Sequence, residues 1–179
     1  MTTAPIGTGA APRFLDLPGL FNARDLGGRP RVAGGSTHFD RVWRSDAPIG
    51  AGRAIADALA ERGVRTVLDL RTEREREAEP SPLEGDPRFR VLPVDLMAPV
   101  AAAMRSGRYA GDPLDLDAQD VAMLDLARDR LALAFEHPRD GLQDGVSLVH
   151  GTAGKDRTET LGRLETGQVE AAAGILDGA

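Results

Sequence analysis

Three short apolar runs constrain the fold most: VRTVLDL (64–70), FRVLPVDL (89–96) and GVSLVH (145–150). Their length and their content of Val and Leu predict strands, the second weakened by Pro93. THFDRVWRSDAP (37–48) predicts a fourth strand through Val42 and Trp43, ending before a helix that Ser45 or Asp46 would cap. Between these runs lie helical stretches. AGRAIADALAERG (51–63) places Ile55 and Leu59 at helical spacing and stops at Gly63. RTEREREAEPSP (71–82) predicts a charged, solvated turn of helix with i,i+3 and i,i+4 pairs, closed by prolines. APVAAAMRSG (98–107) predicts a short helix. The strongest helix is expected over 117–138, where Val121, Leu124, Leu131 and Phe135 form one stripe and Pro138 ends it. A weaker, glycine-containing helix is expected over 157–176, and FLDLPGLFNARDLGG (14–28) mixes short apolar pieces with turn glycines. Strands alternating with helices predict an α/β class with a mainly parallel central sheet flanked by helices. In such sheets ligands bind beyond the carboxyl ends of the strands.

A length of 179 residues suits one domain. The small, Pro- and Gly-rich segment 1–12 is expected to be flexible and 13–179 to form a single domain. A net charge of -6 argues against a general nucleic-acid or membrane-surface binder. No window approaches the length of a membrane span, and the N-terminus lacks a signal-peptide pattern, so a cytoplasmic location is expected. The chain has no cysteine, which removes disulfides, thiolate metal sites and cysteine nucleophiles together. His38 and His137 have no partners at metal spacing, so neither a metal site nor a cofactor is predicted.

The segment after the third run, Gly151-Thr152-Ala153-Gly154-Lys155-Asp156-Arg157, is built mostly of small residues and precedes a predicted helix. A loop of this kind turns successive N–H groups inward, and the helix adds its positive end, making a nest for a tetrahedral oxyanion. Arg157 suits a two-pronged contact to phosphate oxygens. Lys155 is the only lysine in a chain whose other basic side chains are Arg, and a compact ammonium acts differently from a guanidinium fork. The plain alternative is an ordinary strand-to-helix turn. A nucleotide-binding P-loop does not fit: Val149 stands at its first glycine and Asp156 at its magnesium-binding Ser/Thr.

HGTAGKDRT (150–158) resembles the H-C-x-A-G-K-D-R-T loop of the bacterial and fungal tyrosine phosphatases, a family related to the secreted mycobacterial lipid and tyrosine phosphatase. FNARDLGG is similar to that family's N-F-R-D-L-G-G motif, with Ala23 replacing the usual aromatic. VWRSDAP resembles its Y-R-S-D segment, and GVRTVLDLRTEREREAEP its G-I-x-x-V-I-D-L-R-x-x-x-E segment. The four blocks keep family order from Phe21 to Thr158.

The resemblance implies a cysteine-phosphatase-like fold and a two-step mechanism. A thiolate attacks phosphorus, and water then hydrolyses the phosphocysteine, while loop amides and the arginine stabilise the equatorial oxygens. It assigns phosphate binding to Gly151, Thr152, Ala153, Gly154, Lys155, Asp156 and Arg157, and catalytic roles to Lys155, Asp156 and Arg157. Asp25, Arg71, Asp95 and Thr158 are candidates to line the pocket. The first three have a structural alternative: Asp25 organising the first turns, Asp69 and Arg71 forming a buried ion pair, Asp95 being a surface aspartate. His150, which helps hold the thiolate ionised in the family, is here expected to be a hydrogen-bonded core histidine.

The pattern breaks at the nucleophile: Gly151 stands where the family has cysteine. The hydroxyl of Thr152 is a far weaker nucleophile, so covalent turnover is not expected. Glu159 replaces a usual glycine, and the C-terminal helical region is expected to be shortened, leaving room for a partner chain or homodimer to cover it. Three readings stay open. The loop binds a phosphorylated or otherwise anionic ligand without cleaving it. The pocket has been repurposed for acid/base chemistry on an anionic metabolite, such as elimination, isomerisation or cyclisation. The chain is a Cys-to-Gly variant of an active tyrosine phosphatase.

Overall fold

The computed structural model describes residues 13–30, 34–109, 123, 125–130, 132 and 145–152. In chain order these give β1 (Arg13–Phe14), β2 (Arg24–Asp25), β3 (Val42–Ser45), α1 (Arg53–Glu61), β4 (Val64–Asp69), α2 (Glu73–Ala78), β5 (Arg90–Pro93), α3 (Met97–Arg105) and β6 (Val146–His150). The strands form one sheet in the order β1-β2-β3-β6-β4-β5. β3, β6, β4 and β5 run parallel, and β1 and β2 extend the sheet antiparallel beyond β3. The α/β class with a mainly parallel sheet is therefore the observed one. The two-residue strands β1 and β2 were not legible as strands in FLDLPGLFNARDLGG, because a two-residue pairing has no periodicity to read.

β6 lies between β3 and β4 and is buried at all five of its residues. A parallel strand covered on both faces reads as a continuous apolar run, which is why VSLVH does not alternate. Its residues divide between two core clusters: Val146 and Leu148 pack with Ile55 and Leu59 of α1, and Val149 with Val100 of α3. In β4 the pairing with β6 shifts between Val64 and Thr66. The extra residue brings Val64 and Val67, three apart, into the same cluster, where an unbroken strand would send them to opposite faces. Met123 and Ala127 are buried in the α3-side cluster. The apolar stripe expected over 117–138 falls on Val121, Leu124, Leu131 and Phe135, all outside the described residues, as does the whole helix expected over 157–176.

The helix boundaries follow local chemistry, with one correction. α1 ends before Gly63, whose φ of 82° only glycine adopts easily. Its start is not capped by Ser45 or Asp46: Gly52 holds the N-cap position without a side-chain bond. Asp46 instead accepts the backbone N–H groups of Asn22 (3.0 Å) and Phe21 (3.2 Å), tying the turn before β2 to the end of β3. Gly145 immediately precedes β6, and a Cβ there would lie 2.4 Å from the carbonyl oxygen of Gly63, so only glycine allows that approach.

α2 buries none of its residues and depends on its ends. Thr72 and Glu75 form a reciprocal capping box at its start. At α3 the half-buried Asp95 accepts from the N–H groups of Met97 and Ala98, both at 2.9 Å. Asp95→Ala leaves those two amides without that acceptor. We expect it to lower the unfolding free energy by about 1 kcal/mol, read as a shift in the urea midpoint. A midpoint equal to wild type would show that Asp95 does not anchor the helix.

Candidate functional site

The carboxyl ends of the parallel strands bring four residues into one row. Ser45 of β3 pairs in register with His150 of β6, His150 with Asp69 of β4, and Asp69 with Pro93 of β5. The chain leaves the sheet immediately above this row, at Asp46, Gly151 and Leu70. Bonds between the exits hold them together: the N–H of Leu70 donates to the carbonyl of His150 (2.8 Å), and that of Ala47 to the carbonyl of Thr152 (3.1 Å).

Beneath the exit sits a buried polar network. Arg71 and Asp69 are 1% exposed each, and Arg71 donates to the Asp69 carboxylate from Nε (3.0 and 3.1 Å) and Nη2 (2.8 Å). Its backbone N–H adds a bond at 3.0 Å, and its Nη1 reaches the carbonyl of Glu79 beyond α2 (2.7 Å). Of the two alternatives for this pair, the buried ion pair is what forms. Burial pushes the Asp69 carboxyl up, but the bonds from Arg71 and the positive charge around it outweigh that, so its pKa lies below the usual carboxylate value.

His150 is fully buried. Its Nδ1 lies 3.4 Å from the carbonyl oxygen of Gly151 and its Nε2 3.8 Å from Oδ2 of Asp69. Nε2 makes no hydrogen bond. Burial drives the imidazole pKa down against the opposing pull of Asp69, so the ring is neutral at pH 7. The lowering of Asp69 at that pH therefore comes from Arg71.

Of the residues expected to bind phosphate, Gly151 is buried at the end of β6 and Thr152 is exposed next to it. Ala153, Gly154, Lys155, Asp156, Arg157 and Thr158 lie outside the described residues. The hydroxyl of Thr152 donates to Oε1 of Glu75, a residue the charge pattern of RTEREREAE placed on a solvated helix. The available signal was the spacing Thr72-x-x-Glu75, which marks a helix start rather than a contact to a distant loop.

The remaining pocket candidates are engaged in the fold. Asp25 accepts from the N–H groups of Gly27 (2.8 Å) and Asp40 (2.9 Å) and pairs with Arg13 (2.8 Å). Because β2 is antiparallel, Asp25 pairs with Trp43, two residues before the Ser45 row. Arg71 lies under the loop exit and Asp95 at the start of α3. A cavity of about 340 Å³ opens beside β5, lined in part by Asp69, Arg76, Phe89 and Pro93. Among the described residues, neither Gly151 nor Thr152 lines it. Among the described residues no cluster of His, Asp and Glu is placed to hold a metal ion, and no helix is long and apolar enough to cross a membrane.

Comparison with known proteins addresses the same region. A tyrosine-protein phosphatase of Nostoc commune is 33% identical over 111 residues, covering 62% of this chain and 37% of its own length. A protein of Cupriavidus necator whose name places it among the tyrosine-protein phosphatases is 31% identical over 143 residues, covering 78% of this chain and 51% of its own length. The chain thus spans about half, or less, of the curated relatives it matches. The model of the tyrosine phosphatase family matches residues 15–162, a stretch that holds every strand of the sheet from β2 to β6 together with the loop after it. On that match the chain belongs to the tyrosine phosphatase family.

Proposed function

We propose that the loop after β6 binds a phosphate or similar anionic group and that the chain is deficient in covalent phosphatase turnover. The observation carrying this reading is Gly151 just past the central strand, with five residues between it and Arg157, in a chain with no cysteine at all. The spacing favours an oxyanion nest from the loop amides, with Arg157 closing it and Lys155 adding a point charge. Asp156 is assigned a proton-handling or water-orienting role beside Arg157. No side chain at 151 can form the phosphoenzyme on which the two-step route depends. A phosphorylated or otherwise anionic ligand is the expected partner.

Isothermal titration with inorganic phosphate and with a phosphotyrosine mimic tests this. We expect saturable binding that Arg157→Ala weakens by about tenfold or more, the scale of a lost charge-assisted bond. Absence of binding even at millimolar phosphate would sink the reading.

A further inference from the structure

We propose that Glu75 is a positioning residue for the loop: its carboxylate joins the first turn of α2 to Thr152 and sets the direction in which the chain leaves β6. The inference rests on the anion-binding reading of that loop.

Three observations carry it. First, β6 lies between β3 and β4, and Thr152 is held from both sides. Its carbonyl accepts from Ala47, just past β3, and its hydroxyl donates to Glu75, on the helix that follows β4. Gly151 has no side chain and contributes nothing to this grip. Second, Glu75 is itself fixed. Its Oε2 accepts from the N–H and the hydroxyl of Thr72, both at 2.7 Å, while its Oε1 accepts from the loop. A carboxylate accepts at both oxygens, so one side chain closes the capping box and holds Thr152. Third, α2 buries no residue and is tied down at both ends, by the capping box and by Arg71 on the carbonyl of Glu79. It acts as a bracket between the buried Asp69–Arg71 pair and the loop exit rather than as part of the core.

A carboxylate beside an anion site could also act simply as a repelling charge. The two roles give opposite signs. A positioning Glu75 lowers anion affinity when removed, because the nest amides are no longer held in place. A repelling Glu75 raises it.

Inorganic phosphate binding is measured for Glu75→Ala, Thr152→Val, the double variant and Thr152→Ser, each verified as folded by its thermal melt. Each of the first two is expected to weaken binding about tenfold, the scale of a hydrogen bond to a charged group. The double variant is expected to be no weaker than either single one, because both remove the same contact. Thr152→Ser is expected to restore the affinity lost in Thr152→Val. Tighter binding in Glu75→Ala, additive losses in the double variant, or no loss in Thr152→Val overturns the proposal. Additive losses would mean that the Thr152 hydroxyl meets the ligand independently of Glu75.

If wild type binds no phosphate, the anion-binding reading fails, and the joint is judged on hydrogen exchange alone. The Ala47 amide, which donates to Thr152, is then expected to exchange about tenfold faster in Thr152→Val but not in Thr152→Ser. Equal rates in both variants overturn the joint.

Discussion

Gly151→Cys is expected to turn over p-nitrophenyl phosphate, and the chain with Gly151 is expected to show no hydrolysis above background. The substitution puts a sulfur at the end of β6, at the position the family motif reserves for its nucleophile. The thiolate would form an S–P bond as the nitrophenolate leaves, and water would then cleave that bond to release phosphate. The expected gain is roughly a thousandfold or more, since removal of a nucleophile from working enzymes costs at least that much. Gly151 is buried, so the new side chain must find room. A thermal melt of Gly151→Cys alongside the assay separates a misfolded variant from an inactive one. A variant that melts like wild type yet shows no turnover would mean that the loop is no longer arranged for phosphoryl transfer, which removes the family mechanism as a guide to this chain.

Arg71→Met is expected to destabilise the fold by about 3–5 kcal/mol, because it leaves the Asp69 carboxylate buried without its countercharge. For a chain of this size that corresponds to a fall in Tm of roughly 10 °C. The variant also loses the bond to the carbonyl of Glu79, so the end of α2 is freed together with the strand end. The pH dependence separates the ionic contribution from simple loss of packing. In wild type the folded pKa of Asp69 lies below its ordinary value of 3.8, so its contribution is present above that pH and is lost as pH falls below it. His150 adds to the same trend higher up: its folded pKa is held below 6.5 by burial, so stability declines as pH drops through that value. In Arg71→Met, burial acts on Asp69 without the guanidinium, its pKa rises, and the protonated acid no longer needs a partner. The deficit relative to wild type is expected to be largest near pH 7 and to narrow as pH falls toward 4. A deficit independent of pH would assign the loss to packing. The double variant Asp69→Leu/Arg71→Met is expected to recover part of the stability, because no buried charge remains.

Much of the fold was legible because its strands are short apolar runs between helices, and burial on both faces removes the ambiguity of alternation. VSLVH and VRTVLDL became β6 and β4 for that reason, and Gly63 stopped α1 where its positive φ requires. Asp46 was misjudged. A Ser-Asp pair before a helical stretch reads as a cap, but the helix begins later, and the carboxylate instead meets the amides of Phe21 and Asn22, more than twenty positions earlier in sequence. The Asp69–Arg71 pair was visible as two charges at a strand end, yet whether they faced solvent or each other depended on neighbours that only the sheet order supplies. Glu75 was legible as part of a charged, solvated turn of helix but not as a contact of Thr152, 77 positions away.

The sequence by itself determined the alternation of strands and helices, the family, and the absence of a nucleophile at 151, because these depend on residue type and local spacing. Tertiary structure alone decided that β6 lies between β3 and β4, that Ser45, His150, Asp69 and Pro93 form one row, and that Asp69 and Arg71 neutralise each other below the loop. It also decided that Glu75 holds Thr152. Such pairings depend on which strands become neighbours, and that order follows from burying two apolar faces at once rather than from any stretch of residues taken alone.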